Sequence, residues 1–417
     1  MRILNASKAA SQPIPLYLSL NYGEIFKLQH VQNPFPLGPV SYSSLASYLE
    51  CPGCALERKK RSKELKHFTT VRQASLFGKS GPDPRLIGTL LHTLVNFLHD
   101  SSNLLAKERQ EALLDDPHAL AQFLRHDALA LLQKAGKLRL AMLLDELSHD
   151  EAMFRTSLIA PMLRYQQELA STGAVVLSAS ARFQFKLLST RNTFVNHPDW
   201  GGYVAIVGEF DQIRFRNIGS ASFPAGVPSI MEFKKGLGGD KRSESTVTLF
   251  SELEEESEGT GKLANDTLPT VSHAMQLMIY WLAFQMQWDV LEKLAEAKGM
   301  VQDIYMPLHQ QLDLIIYNLN DGCQYQLLPT DQQEALSALT NCIFYLNWAM
   351  KSGYSMQSPE HECKKTQLVK MPDCAVQVGY TTLSARECYL LAKNAFDRFK
   401  NTVRWKRVSQ PEENHSF

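Results

Sequence analysis

The chain has no surplus of either charge. Forty-three Lys and Arg balance 43 Asp and Glu over 417 residues, so no global field draws it to a polyanion, and such a partner must be met by a local patch. No apolar run approaches the roughly 18 to 20 residues of a spanning helix. The N-terminal "MRILNASKAASQPIPLYLSL" also lacks the unbroken apolar core of a secretory signal ahead of its prolines. A soluble, cytoplasmic protein without membrane contact is the expectation. Cysteine is scarce, at seven residues. An odd, dispersed set suits thiols or metal ligands in a reducing compartment better than a disulfide framework. A phosphate-binding loop is missing as well: "GTGK" needs an earlier glycine where Glu256 stands and Ser or Thr where Leu263 stands. No internal repeat is visible.

What is present changes character along the chain. Residues 1–40, punctuated by Pro13, Pro15, Pro34 and Pro36, predict an irregular, extended arm. In 41–84, "VSYSSLASYLECPGC" supplies serines suited to an N-cap, a short helix and a break at Pro52 and Gly53. A basic run follows at Arg58, Lys59, Lys60, Arg61, Lys63 and Lys66. The 85–170 stretch is helical in period, with Leu91, Leu94, Val95 and Leu98 on one stripe. From about 171 the pattern turns to strands, "AVVLSASARFQFKLL", "YVAIVGEFDQIRF" and "PSIMEF". The Gly-rich, acidic 237–270 predicts a mobile insertion. A helix, a hairpin turning at Asn320, Asp321 and Gly322, and a second helix carry this core to about 350. Residues 351–417 hold further cysteines and end in the basic, aromatic "FDRFKNTVRWKR".

"SIMEFKKG", Ser229 to Gly236, sets ionisable residues inside a run that reads as a short buried strand. Burying charge is expensive unless it is paired or holds a metal. Strand alternation puts Glu232 and Lys234 on one face with Ile230, and Met231 and Phe233 on the other. In "VGEFDQIRF" the same rule puts Glu209 and Asp211 on one face with Val207 and Ile213. An antiparallel neighbour could then bring Asp211 beside Glu232. Two carboxylates that close repel unless something positive lies between them, and a divalent cation is the natural candidate. Read alone, Glu and Lys two apart in a half-exposed strand are usually a solvated face.

Taken in order, "GTLLHTLV" with His92, "GEFDQI" with Asp211, "MEFKKG" with Glu232 and Lys234, and "HAMQLMIY" with Gln276 and Tyr280 resemble the RecB-like branch of the PD-(D/E)XK nuclease superfamily. That branch includes the CRISPR-associated Cas-four exonucleases and the AddB nuclease domain. The resemblance covers roughly residues 41–390. It implies an α/β fold in which a central mixed β-sheet is flanked by helices, a restriction-endonuclease-like core with an inserted helical subdomain. It further implies that His92, Asp211, Glu232 and the Phe233 backbone carbonyl ligate Mg²⁺ or Mn²⁺. Lys234 would then orient and help deprotonate the attacking water, with Gln276 and Tyr280 contacting DNA or steadying the site. An imidazole beside two carboxylates suits Mn²⁺ somewhat better than Mg²⁺. Ordinary core packing would also account for Tyr280.

Members of this branch often carry a 4Fe-4S cluster held by one cysteine before the core and three after it. Cys51 stands in the first place, and Cys363, Cys374 and Cys388 follow the core, more widely spaced than in the family. Cys54 adds a C-x2-C pair, which with two distant cysteines would equally satisfy zinc, and unliganded thiols remain an alternative. Cys323 and Cys342 read as ordinary thiols. The basic run at Arg58, Lys59, Lys60 and Arg61 could track a phosphate backbone, with Phe399 and Trp405 available for base stacking. The expected activity is metal-dependent hydrolysis of DNA, on single strands or ends, in repair or prokaryotic defence including CRISPR adaptation. A helicase or a defence-complex protein would be the partner, since the chain shows no motor motif. Alternatives are a non-catalytic nucleic-acid-binding or scaffold subunit, and an interaction protein with structural zinc.

Overall fold

The computed structural model describes residues 14–18, 40–56, 77–78, 81–99, 104–188, 203–216, 227–237, 269–285, 312–351, 376–378 and 381–408. The chain opens with β1 (Ile14–Leu18), β2 (Val40–Ser41) and α1 (Tyr42–Glu50). The two-residue strands β3 (Phe77–Gly78) and β4 (Gly81–Pro82) pair with each other. Helices follow as α2 (Pro84–Phe97), α3 (Lys107–Asp115), α4 (Pro117–His126), α5 (Ala128–Lys134) and α6 (Leu138–Ser148). Next, α7 (Glu151–Phe154) runs through a π turn at Arg155–Ile159 into α8 (Ala160–Thr172). Then come β5 (Val175–Leu188), β6 (Tyr203–Arg216), β7 (Val227–Lys234), α9 (Val271–Gln285), β8 (Asp313–Asn318), β9 (Gln324–Pro329) and α10 (Gln332–Lys351). The end holds β10 (Val376–Val378), β11 (Thr381–Leu383), α11 (Ala385–Thr402) and β12 (Val403–Val408).

Local signals set the helix ends. Ser41 caps α1 by accepting the Ser44 amide, and Asp83 caps α2 by accepting the Arg85 amide at 2.9 Å, with Pro84 at the first helical position. Ser384 and Glu387 form a reciprocal capping box on α11. Gly173, at φ 58°, closes α8 in the left-handed conformation. The β8–β9 hairpin turns at Gly322, φ 76°, within the predicted trio.

The main sheet runs β1-β5-β6-β7-β8-β9-β12, with β2 also on β6. It is mixed: β1/β5, β2/β6 and β7/β8 are parallel and the remaining pairs antiparallel. Helices cover both faces. Ile230, Leu314 and Ile316 enter one core with α1, α9, α10 and α11, whereas Met231, Phe233, Ile315 and Tyr317 enter the other with α2 to α8. Period-two alternation in β7 and β8 therefore feeds two cores at once. The helices of 85–170 do not enclose a core of their own; their apolar stripe continues into one face of the sheet.

Two expectations change here, and a third cannot be placed. Part of the N-terminal arm, Ile14–Leu18, docks as a strand beside β5, where Pro15 is tolerated because β1 has a single neighbour. Phe399 and Trp405 are not available for base stacking. Phe399 lies on the buried stripe of α11, Trp405 sits opposite Leu327 in the β12–β9 ladder, and both have no exposed surface. The acidic stretch 238–268 lies outside the described residues. Among the described residues no helix is long and apolar enough to cross a membrane.

Gly208 of β6 faces Phe183 of β5, and a Cβ placed there would run into the Phe183 ring. Gly208→Ala is expected to lower stability by about 1–3 kcal/mol through overpacking. A urea midpoint unchanged from wild type would show that the ring moves aside without cost.

Candidate functional site

A fork in the sheet builds the site. Strand β6 pairs with β7 from Arg216 to Gln212 and with β2 at Ile206 and Val207, which leaves residues 208–211 between the two partners. Strand β7 departs from β6 after Met231 but stays on β8 through Lys234 opposite Asn318. Continuing the β6–β7 register by one step would set Asp211 opposite Glu232, the juxtaposition predicted from alternation. At that step the Asp211 side chain takes over from the ladder, its Oδ2 accepting the Phe233 amide at 2.8 Å.

On the far prong, Glu232 Oε1 accepts from Lys234 Nζ at 2.5 Å and from Gln276 Nε2 at 2.7 Å. Gln276 Oε1 also accepts from Lys234 Nζ at 3.2 Å, and its Nε2 reaches the Tyr280 hydroxyl at 2.7 Å. Gln276 and Tyr280 are one turn apart on α9, so one helical face meets the motif. The Glu232 side chain is 5% exposed and that of Lys234 24%; Lys234 reaches open space while its partner does not. Glu232 Oε2 is buried and has no hydrogen-bond partner.

On the near prong, His92 Nδ1 of α2 lies 3.4 Å from Asp211 Oδ1. The Phe233 ring meets the His92, Tyr165 and Tyr317 rings edge to face, at centroid separations of 5.9, 5.6 and 5.9 Å. The middle residue of the motif thus anchors β7 in the helical layer while both its neighbours face the fork. Its amide, on Asp211, is the polar contact of Phe233 at the site.

The charges resolve unequally. Burial and the nearby Asp211 carboxylate push Glu232 up to about 7, against the pull of Lys234. Burial works against ionising Asp211 too, but His92, Lys234 and the Phe233 amide outweigh it and hold Asp211 below the usual range. Burial disfavours the cationic forms of His92 and Lys234, yet the carboxylates prevail and raise both. While both acids surround it, Lys234 is an ammonium that donates and orients. His273, beside Thr270 at the start of α9, is pushed down to about 3 by burial and the Lys234 charge, so it stays neutral.

These groups open onto a cleft of about 1160 Å³ between α2 and the sheet, lined by His92, Asp211 and Lys234. Arg85, Lys137, Arg182 and Lys235 also line it. Sequence reading missed Arg85, Lys137 and Arg182 because they come from α2, the turn before α6 and β5, with no local run to reveal them, while Lys235 stands beside Lys234 in the quoted motif. Arg182 pairs with Glu209 at 3.2 Å. The predicted basic residues Arg58, Lys59, Lys60 and Arg61 lie outside the described residues.

The cysteines gather in part. Cys51 ends α1 and is buried, Cys54 is half-buried in the next helical turn, and Cys388 is buried in the first turns of α11. These segments touch: the Tyr389 hydroxyl donates to the Leu49 carbonyl at 2.9 Å, and the Tyr48 and Tyr389 rings meet edge to face. Cys363 and Cys374 lie outside the described residues. Cys323 sits in the hairpin and Cys342 within α10. Among the described residues no three His, Cys, Asp or Glu side chains are already drawn into a metal-binding group.

Because Glu232 takes up a proton on folding, its contribution to stability falls as pH rises from the ordinary carboxylate range through about 7. In chelator at pH 8, Glu232→Gln is therefore expected to melt at or above the wild-type temperature. A lower melting temperature would mean that the ion pair with Lys234 outweighs burial. Compared with protein-family models and with curated proteins, the chain matches none.

Proposed function

We propose that the protein is a metal-dependent nuclease that hydrolyses phosphodiester bonds in DNA, acting on single strands or ends. The observation that carries this reading is the convergence of His92, Asp211, Glu232 and Lys234, from three separate elements, on one fork at the wall of a cleft. The residues fit a divalent cation. Two carboxylates and an imidazole offer hard and borderline donors, and Glu232 Oε2 is a buried oxygen with no hydrogen-bond partner. Such a cation, when bound, lowers the pKa of water and neutralises charge building on a scissile phosphate.

The protein's own groups supply the rest. Lys234, fixed between Glu232 and Gln276, presents an ammonium to the cleft and orients a water or a phosphate oxygen. Gln276 spends its carbonyl on Lys234 and its amide on Glu232 and Tyr280, so it sets both side chains at once. Arg85, Lys137 and Lys235 give the cleft the local positive lining that a neutral chain needs to hold a polyanion. The preference for single strands or ends, and a place in repair or prokaryotic defence alongside a helicase or a defence complex, rest on the RecB-like resemblance.

The test incubates end-labelled single- and double-stranded DNA, with an RNA control, in Mn²⁺ or Mg²⁺. Wild type should shorten single strands stepwise; Lys234→Ala should slow this by about a hundredfold or more, and Asp211→Ala should abolish it. No cleavage by wild type in either metal would remove the reading. Loading the fork must displace the protons of Glu232, held above its ordinary range by burial and Asp211, and of His92, held there by the neighbouring carboxylates against burial, so the affinity for Mn²⁺ should rise with pH through about 7.

The cysteine corner supports a second, structural centre. Cys51, Cys54 and Cys388 arrive on segments already docked by Tyr389 and Leu49, and a 4Fe-4S cluster or zinc there would tie α1 to α11 across the length of the chain. Elemental analysis and the visible spectrum of the purified protein decide between them. A brown protein with iron and sulfide, bleached and destabilised by Cys51→Ser, is expected; absence of both iron and zinc would leave ordinary thiols.

A further inference from the structure

The ladder between β5 and β6 pairs Ala179 with Gln212 and Ala181 with Phe210, and skips the step between them, Ser180 and Asp211. Ser180 has φ 52°, the only residue other than glycine with positive φ among the described residues. That left-handed conformation is disfavoured for a residue with a Cβ. The parity of β6 changes at the same place. Val204, Ile206 and Phe210 enter the first core, and so do Ile213 and Phe215, whereas Gln212 bonds the Tyr165 hydroxyl in the second layer. An unbroken strand with Ile213 and Phe215 in the first core would aim Asp211 at that core as well, away from α2. With the break, Asp211 sits at the seam, bonded to the Phe233 amide and 3.4 Å from His92.

Something must hold Ser180 in a conformation its own backbone resists, because such strain persists only where the surroundings impose it. Asn96 supplies the hold: its side-chain amide donates to the Ser180 hydroxyl, and both residues line the cleft. Asn96 is one turn beyond His92 on α2, so a single helix presents the imidazole and the latch together.

We infer that Asn96 and Ser180 form a positioning latch, which keeps the β5–β6 ladder broken so that Asp211 turns out of the first core and faces His92 for metal binding. In this role both act through Asp211, as positioning residues rather than as ligands of the cation. The inference rests on the metal-binding reading above.

Isothermal titration with Mn²⁺, together with thermal melts in chelator, tests it without reference to nuclease activity. Ser180→Val, whose branched side chain resists positive φ, should restore the rung and weaken Mn²⁺ binding by about tenfold or more while the protein still melts cooperatively. Ser180→Gly, free to keep φ positive, should bind far more like wild type. Should Ser180→Val fail to fold, Asn96→Leu decides, since it leaves the strand sequence intact and removes only the hydrogen bond; it too should lose Mn²⁺ affinity. Equal affinity in wild type and Ser180→Val, or in wild type and Asn96→Leu where Ser180→Val cannot fold, overturns the latch and leaves the metal site standing. Equal losses in Ser180→Gly and Ser180→Val, with Asn96→Leu binding as wild type does, also overturn it, because neither the backbone conformation nor the hydrogen bond would then matter. If wild type takes up no Mn²⁺, the latch falls together with the metal site.

Discussion

The structure depends on one divergence of backbones, where β7 leaves β6 after Met231 and follows β8 instead. An unmet amide at such a fork is costly, and the chain meets it with a carboxylate: Asp211 accepts the Phe233 amide that the ladder no longer serves. One side chain thereby closes a structural gap and carries a negative charge into it. The gap also admits Glu232 and Lys234 from the other prong. Had β6 and β7 stayed paired, backbone bonds would have filled the space these groups use.

The two helical layers hold the prongs apart. Phe233 is gripped by Tyr165, Tyr317 and His92 on one side of the sheet, while Glu232 is gripped by Gln276 of α9 on the other. Adjacent residues of β7 are thus pulled in opposite directions, and the strand cannot rotate without breaking one set of contacts. A buried polar chain stiffens this further. The Tyr165 hydroxyl lies 2.6 Å from His99 and accepts from Gln212 at 2.7 Å, so the ring that clasps Phe233 is itself fixed from two elements. The Tyr165 hydroxyl is satisfied from both sides, whereas the other end of the Gln212 amide, its Oε1, is buried without a hydrogen-bond partner.

How much of this was legible in the sequence follows from how local each signal is. Period-two alternation identified the faces of β7, because Ile230, Met231 and Phe233 obey it without interruption. The same rule failed on β6: placing Asp211 simply with Ile213 ignored the break at Ser180, and a positive φ in a serine has no sequence signature comparable to glycine. Trp405 and Phe399 were misread for a related reason. Their basic neighbours suggested a surface, but in a strand the residues on either side of a buried tryptophan face the other way, and Lys406 is exposed where Trp405 is not. Three cations of the cleft were invisible because only the fold brings Arg85, Lys137 and Arg182 together beside Lys235 of the motif.

The fork also explains how so polar a cluster sits among two cores before any cation enters. Environments that drive two carboxylates apart leave one charged and one protonated. Asp211 keeps its charge against His92 and Lys234, while Glu232, deeper and without a partner on Oε2, holds a proton up to about 7. Lys234 and His92, both pushed against burial toward their cationic forms by the two carboxylates, then offset anionic charge from within the cluster itself. A site whose charge is offset in this way does not need an ion in order to fold, unlike small domains whose folding free energy is the binding free energy of their metal. On the proposed metal-binding reading, a cation would compete with the ammonium of Lys234, which already occupies Glu232 Oε1, and a doubly charged ion would compete for that oxygen better than a singly charged one.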